Sequence, residues 1–258
     1  MPRAQHTNHG AAKGPGKIIA VGGAKGGIGK SLFAANLGVF LSRLGKKTVV
    51  VDLDLGASNL HLYLGVWSLP RRIDDFLTKQ TSHLDDILIQ TKYGPYLIGG
   101  GAGKLGDANI HFSRKIKLLR ALKALDADYV ILDLGGDTTY NILDFYLAAD
   151  QGFVLTTCEP ASYMDAYGFI KLALQRKLTR LFGAESPHHQ DRDRQLERLI
   201  RDYFFSDPTD PGRHISNLFR RVESERPDYI RFIKKVVDAF RPATIVSMAQ
   251  PHEEVDAL

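Results

Sequence analysis

The chain has 258 residues and a formal net charge of +5, and hydrophobic residues make up 44 % of it. That composition supports a packed core, while no apolar run reaches the roughly 18–20 residues of a membrane-spanning helix. The single cysteine, Cys158, excludes a disulfide framework and a cysteine-based metal or cluster site within one chain, and it fits a reducing, cytoplasmic setting.

Residues 1–16 read as a flexible basic tail. The stretch carries Arg3 and Lys13, no acid, and no apolar centre of a secretory signal. Short β-rich runs then alternate with longer helical patterns. KIIAVGG (17–23), TVVVDLD (48–54), YLIGG (96–100), YVILDLGG (129–136) and GFVLTT (152–157) are apolar at consecutive positions, as strands buried on both faces are. Between them, 31–45, 112–126 and 162–183 repeat apolar residues at helical spacing, with Ser162 and Asp165 predicted as a capping box. This alternation predicts an α/β fold, a doubly wound and mostly parallel sheet, over residues 17–183. Residues 184–241 read as a charged helical insertion in the C-terminal third. Arg192, Arg194, Arg198 and Arg201 lie along one predicted helix there, and a second is predicted from Pro227 to Phe240. Residues 242–258 then supply a last strand, ATIVSM (243–248), and a short acidic tail unsuited to membrane insertion.

The chemistry concentrates in VGGAKGGIGKSLFAANL, Val21 to Leu37, which joins the first strand to the first helix. Lys30 and Ser31 close a phosphate-binding loop in the strand–loop–helix context such a loop requires, although Ala24 replaces the first glycine of the common pattern. The backbone N–H groups from Gly26 through Gly27, Ile28 and Gly29 to Lys30, with Ser31 and Leu32 at the helix start, are predicted to wrap phosphate. Lys30 would bridge β- and γ-phosphate oxygens, and the Ser31 hydroxyl would ligate Mg2+. Lys25, at the other end of the same glycine run, needs a separate reason.

AKGGIGKS resembles the deviant phosphate loop of the MinD/ParA superfamily of ATPases, a SIMIBI-type branch of the P-loop NTPases. The resemblance implies ATP and Mg2+ as cofactors and an ATP-dependent homodimer in which Lys25 crosses to the partner's nucleotide. VVVDLDLGASNLHLYLG (49–65) is similar to the family's second strand and first switch. By that match Asp54 positions the attacking water, Asp52 lies near the Mg2+ water shell, and Asn59 faces the dimer interface. YVILDLGG is similar to a Walker B strand, which implies that Asp133 holds Mg2+ through water and that the Gly136 N–H approaches the γ-phosphate. Asp137, next along, either slows hydrolysis or points outward. TTCEPASYMDAYGF (156–169) resembles the family's segment after the fifth strand, with no catalytic role assigned to Glu159.

The likeness covers about residues 17–180. Where the family commonly reads the adenine edge, this chain has Ser247 or Met248, and it has no N-K-x-D sequence to hold guanine. The switch wording and the helical insertion look closest to the MinD side of the superfamily and to flagellar-number regulators of the FlhG type. The implied function is a slow, partner-stimulated ATPase switch in spatial regulation: division site, flagellar placement or cargo positioning. Its partners would be a second copy and a protein activator or cargo adaptor. Two other readings stand beside it. One is a ParA-like partition ATPase gripping DNA through Arg220, Arg221, Arg231, Lys234 and Lys235. The other is a hydrolysis-impaired, nucleotide-dependent interaction module. The His188–His189 pair is not expected to hold a metal.

Overall fold

The computed structural model describes residues 16–54, 58–101, 112–183, 193–205 and 215–249. Most of the basic tail, His188–His189, Arg192 and the last nine residues lie outside that set. The first half of the chain builds β1 (Lys17–Gly22), α1 (Lys30–Arg43), β2 (Thr48–Leu53), α2 (Leu60–Tyr63), α3 (Ile73–Leu77), β3 (Ile89–Gln90), β4 (Tyr96–Ile98) and α4 (Phe112–Ala124). The second half builds β5 (Tyr129–Leu134), α5 (Tyr140–Leu147), β6 (Gln151–Thr156), α6 (Pro160–Phe182), α7 (Arg194–Phe205), α8 (Ile215–Glu225), α9 (Ile230–Asp238) and β7 (Ala243–Val246).

Seven strands form one sheet in the order β3-β4-β2-β5-β1-β6-β7. All pairings are parallel except β3 with β4. Alternate residues of each central strand enter different layers, because side chains alternate across a strand. Ile18 and Ala20 of β1 join one buried cluster with Val130 and Leu132 of β5, while Ile19 and Val21 join another with Ile131. Both faces are therefore covered by helices, which is why these strands read as unbroken apolar runs. Gly38 lets α1 lie close on β2: a Cβ there would come within 2.5 Å of the Val50 side chain.

The sheet brings the carboxyl ends of β1, β2 and β5 to one level. Val21 pairs with Asp133, and Asp133 pairs with Asp52. The chain runs from β1 to β2 on one side and places β6 on the other, and ligands of such sheets bind at that crossover point.

Three features differ from the sequence-based expectation. The edge pair β3–β4 is antiparallel, and β3 is too short to leave a periodic signal. Helix α6 begins at Pro160, with Pro in the first turn, so Ser162 does not cap it. The Ser162 hydroxyl instead lies buried, accepting the Thr157 N–H at 3.0 Å and the Thr156 hydroxyl at 3.2 Å. The helix predicted from Pro227 is a short 3-10 turn, Pro227–Tyr229, followed by α9.

The C-terminal half of α6 and helices α7 to α9 share a hydrophobic cluster of their own, which includes Phe182, Leu196, Ile200, Leu218 and Ile233. Phe182 meets Tyr229 and Phe232 edge-on, with ring centroids 5.4 and 6.0 Å away. No helix among the described residues is long and apolar enough to cross a membrane.

Candidate functional site

The loop from Gly23 to Gly29 owes its shape to glycine. Gly27 and Gly29 take φ of 75° and 91°, values that side-chain-bearing residues rarely adopt. Ile28 between them is buried in the core and anchors the loop. Helix α1 starts on Gly29 with no side-chain cap, so no side chain of its own competes for its first N–H groups. Gly26 and Gly27 are exposed and have open space where a Cβ would stand. Bare, outward-facing amides at a helix start form an anion cradle.

Lys30 is buried under this loop, and its Nζ donates to the Lys25 carbonyl at 2.6 Å. Burial pulls its pKa down, and the charges of Asp133, Asp54 and Asp137 oppose that. Gly136 packs against the same spot: a Cβ on it would lie 3.1 Å from the Gly26 nitrogen and 3.1 Å from Lys30 Nζ. The Lys25 side chain leaves the loop in the other direction. Its Nζ donates to Glu159 Oε2 at 2.6 Å, at the start of α6.

The two paired aspartates behave differently. Asp52 accepts hydrogen bonds on both oxygens, from the Asp54 N–H at 3.1 Å, the Ser58 hydroxyl at 2.6 Å and the Leu60 N–H at 3.2 Å. It fastens Asp54, Ser58 and the first turn of α2. Burial pushes its pKa up to about 6 despite those bonds. Asp133 is equally buried, yet neither of its oxygens has a hydrogen-bond partner among the described residues. Burial pushes its carboxyl up to about 7. The Ser31 hydroxyl comes near enough to pull it back somewhat without making a full hydrogen bond. A buried carboxylate with unmatched oxygens, beside a hydroxyl, fits the oxygen donor set that Mg2+ takes.

Asp54 is half-buried beside Gly135, whose Cβ position lies 3.5 Å from the Asp54 carboxyl. Asn59 is exposed at the start of α2, and Leu32 is 49 % exposed on the first turn of α1. Asp137 is exposed, and its charge still reaches Lys30. Its Oδ1 accepts the Thr139 N–H and hydroxyl, both at 2.8 Å, just before α5. The structure thus gathers Gly26 to Leu32, Asp52, Asp54, Asp133 and Gly136 around one crevice, with Lys25 at its rim. Two contributors act in ways the sequence did not announce. Ser58 holds Asp52, and Ser247 donates its hydroxyl to the Ile28 carbonyl at 2.6 Å. Met248 is exposed with a φ of 57°.

Residues 19–244 match the model of the CobQ/CobB/MinD/ParA nucleotide binding domain. Among curated proteins, the chain is similar to the antiactivator FleN of Pseudomonas aeruginosa, 28 % identical over 160 residues, covering 61 % of this chain and 56 % of that protein. It is also similar to the flagellum site-determining protein YlxH of Helicobacter pylori, 30 % identical over 176 residues, covering 64 % and 56 %. Among solved structures, the septum site-determining protein MinD of Pyrococcus horikoshii, complexed with Mg-ADP, superposes with a TM-score of 0.51 at 26 % identity, over 58 % of this chain and 61 % of that one. The chain spans a little over half the length of the curated relatives it matches.

Proposed function

The chain belongs to the CobQ/CobB/MinD/ParA nucleotide-binding family, and from that premise we propose that it is an ATP-dependent dimerisation switch that hydrolyses ATP slowly. The observation that carries this reading is the opposite setting of its two loop lysines. Lys30 is buried under the loop, placed to neutralise the phosphates of the protomer's own nucleotide. Lys25 reaches outward, placed for charge outside its own loop.

In this reading the N–H groups from Gly26 to Lys30 wrap the β-phosphate and the start of α1 adds its positive end. Ser31, and Asp133 through water, would hold Mg2+, which would supply charge neutralisation for the phosphates. Asp52 holds Asp54 and Ser58 beside that site. Asp54 orients the water, since phosphoryl transfer asks for alignment more than for strong base catalysis. The Gly136 N–H reports the γ-phosphate to the segment that follows it. On dimerisation Lys25 exchanges Glu159 for phosphate oxygens on the second copy's nucleotide. The flagellar and division-site roles in the names of the relatives, and the MinC:MinD complex of Aquifex aeolicus among the structural neighbours, support spatial regulation through a protein partner.

Size-exclusion chromatography with ADP and then with ATP·Mg2+ tests the switch. Wild type is expected to shift to a dimer with ATP alone, and Asp54→Ala to hold that dimer longer. Lys30→Ala should lose nucleotide binding, and Lys25→Ala should bind ATP as a monomer. A Lys25→Ala variant that dimerises as wild type does would sink the cross-subunit role.

A second reading rests on one observation: Arg220, Arg221, Arg231, Lys234 and Lys235 are all exposed on α8 and α9. Exposed cations of this kind suit DNA phosphates without base readout. A gel shift that needs ATP and collapses between low and physiological salt would support it.

A further inference from the structure

Ser58 is half-buried, and its hydroxyl donates to Oδ2 of Asp52 at 2.6 Å, the length of a hydroxyl bonded to a charged carboxylate. The same oxygen accepts the Leu60 N–H at 3.2 Å, and Oδ1 accepts the Asp54 N–H at 3.1 Å. One buried carboxylate therefore clasps the chain at Asp54 and again at Ser58 and Leu60. The Asp54 carboxyl is near enough to Lys30 for its charge to act on the ammonium. This brace thus ends at the phosphate site.

The brace has a back wall on another strand. Gly100 follows β4, and a Cβ on it would come 2.6 Å from Ser58 Oγ and 2.9 Å from Asp52 Cγ. The Gly100 backbone is not among those in the left-handed region, so close approach and not conformation calls for glycine here. The Ile73 N–H donates to the neighbouring Gly99 carbonyl at 2.9 Å, which ties the wall to the start of α3. Ser58 is wedged between a carboxylate it must satisfy and a backbone it cannot push aside.

Resting on the ATPase reading above, we propose that Ser58 is a positioning residue: seated between Asp52 and Gly100, it fixes Asp54 in the place from which Asp54 orients water. Ser58 touches neither the water nor the phosphates. It acts through Asp52 on the Asp54 backbone, and so it governs the rate of hydrolysis and not the hold on the nucleotide. Misplacing a reacting group by about 1 Å can cost on the order of a hundredfold in rate, so a smaller shift of Asp54 is worth about tenfold.

Two variants test this from opposite sides. Ser58→Ala removes the hydroxyl, and Gly100→Ala drives a methyl group at Ser58 Oγ. Steady-state turnover across a range of ATP concentrations is measured beside ADP·Mg2+ affinity by calorimetry. Each variant is expected to lower kcat about tenfold while KM for ATP and ADP affinity stay within about twofold of wild type. The double variant is expected to lose little more than either single one, because both break the same brace. A readout without turnover is exchange of the Asp54 amide proton in nucleotide-free protein, expected to be about tenfold faster in Ser58→Ala. Unchanged kcat in Ser58→Ala overturns the proposal, and so does an equal loss of ADP affinity, which would place Ser58 in the nucleotide site itself. Ser58→Ala decides the matter even if Gly100→Ala fails to fold. A wild type that binds ADP but turns over no ATP would instead overturn the hydrolysis reading. The hold of Ser58 on Asp54 is then decided by the amide, whose equal exchange in wild type and Ser58→Ala overturns it.

Discussion

Lys25 Nζ donates to Glu159 Oε2 at 2.6 Å, so the rim of the phosphate loop is tied to the start of α6 within one protomer. The bond holds the Glu159 carboxyl below its ordinary pKa, which means that it stays charged across the physiological range. If Lys25 serves a second copy's nucleotide, this contact competes with dimerisation. Glu159→Gln is therefore expected to form the ATP dimer at lower protein concentration than wild type, by less than about fivefold, since exposed ion pairs are weak. Sedimentation across a dilution series measures it. An unchanged or weaker dimer would show that Glu159 does not restrain Lys25.

Ser247 fastens the loop from the opposite side. Its hydroxyl donates to the Ile28 carbonyl at 2.6 Å, while its own N–H donates to the Thr156 carbonyl at 2.8 Å. The far end of β7 thus sets the height of the glycine run. Ser247→Ala should keep the fold, because the backbone bond remains. It should weaken ADP binding about fivefold, the worth of one hydrogen bond of about 1 kcal/mol. Calorimetric titration with ADP·Mg2+ would decide, and unaltered affinity would mean that the loop holds itself.

Much of this architecture was legible in the residues. The apolar runs marked β1, β2, β5 and β6 because both faces of those strands are buried, and the glycine–lysine loop declared itself by its place between a strand and a helix. Other parts were not legible, for physical reasons. Strand β3 is two residues long, too short for any period to show. Ser162 had the right type and spacing for a cap, but Pro160 starts α6 earlier and burial turned the hydroxyl to β6. The bond from Ser247 to Ile28 joins positions far apart in the chain, and only the register of β7 on β6 brings them together. The Asp144 cluster draws on α4, α5 and α6, and no local pattern announces it.

Gly136 leaves little room for a side chain. A Cβ there would press at 3.1 Å on both the Gly26 nitrogen and the Lys30 ammonium, and backbone cannot yield as a flexible side chain does. Gly136→Ala is expected to push the loop off its seat and lower ATP affinity at least about tenfold, a loss of some 1.4 kcal/mol. Thermal stability without nucleotide should change far less. Fluorescent-nucleotide binding beside a melting curve separates the two effects, and equal loss in both would point to general unfolding instead.

Asp144 ties three cations from two helices into the seam beside α7, and its titration should show in stability. Burial pushes its carboxyl up, but the hydrogen bonds from Arg176 and Lys115 and the charge of Arg180 win, so its pKa falls below the ordinary 3.8. A depressed carboxylate pKa contributes stability that is fully present above the unfolded-state value and is lost as pH falls through the folded value. The contribution should therefore be constant at neutral pH and fade only in acid below 3.8. Asp144→Asn takes the counter-charge away from the buried Lys115 ammonium, a change that costs about 3–5 kcal/mol. For a chain of this length that corresponds to a melting temperature lower by roughly 6–20 °C at neutral pH. The gap between variant and wild type should narrow in strong acid, where the wild-type carboxyl is protonated too. Melting curves taken at neutral pH and at successive steps below pH 3.8 provide both numbers. A variant that melts with wild type at neutral pH would mean that the cations find other counter-charges and that Asp144 does not organise the seam.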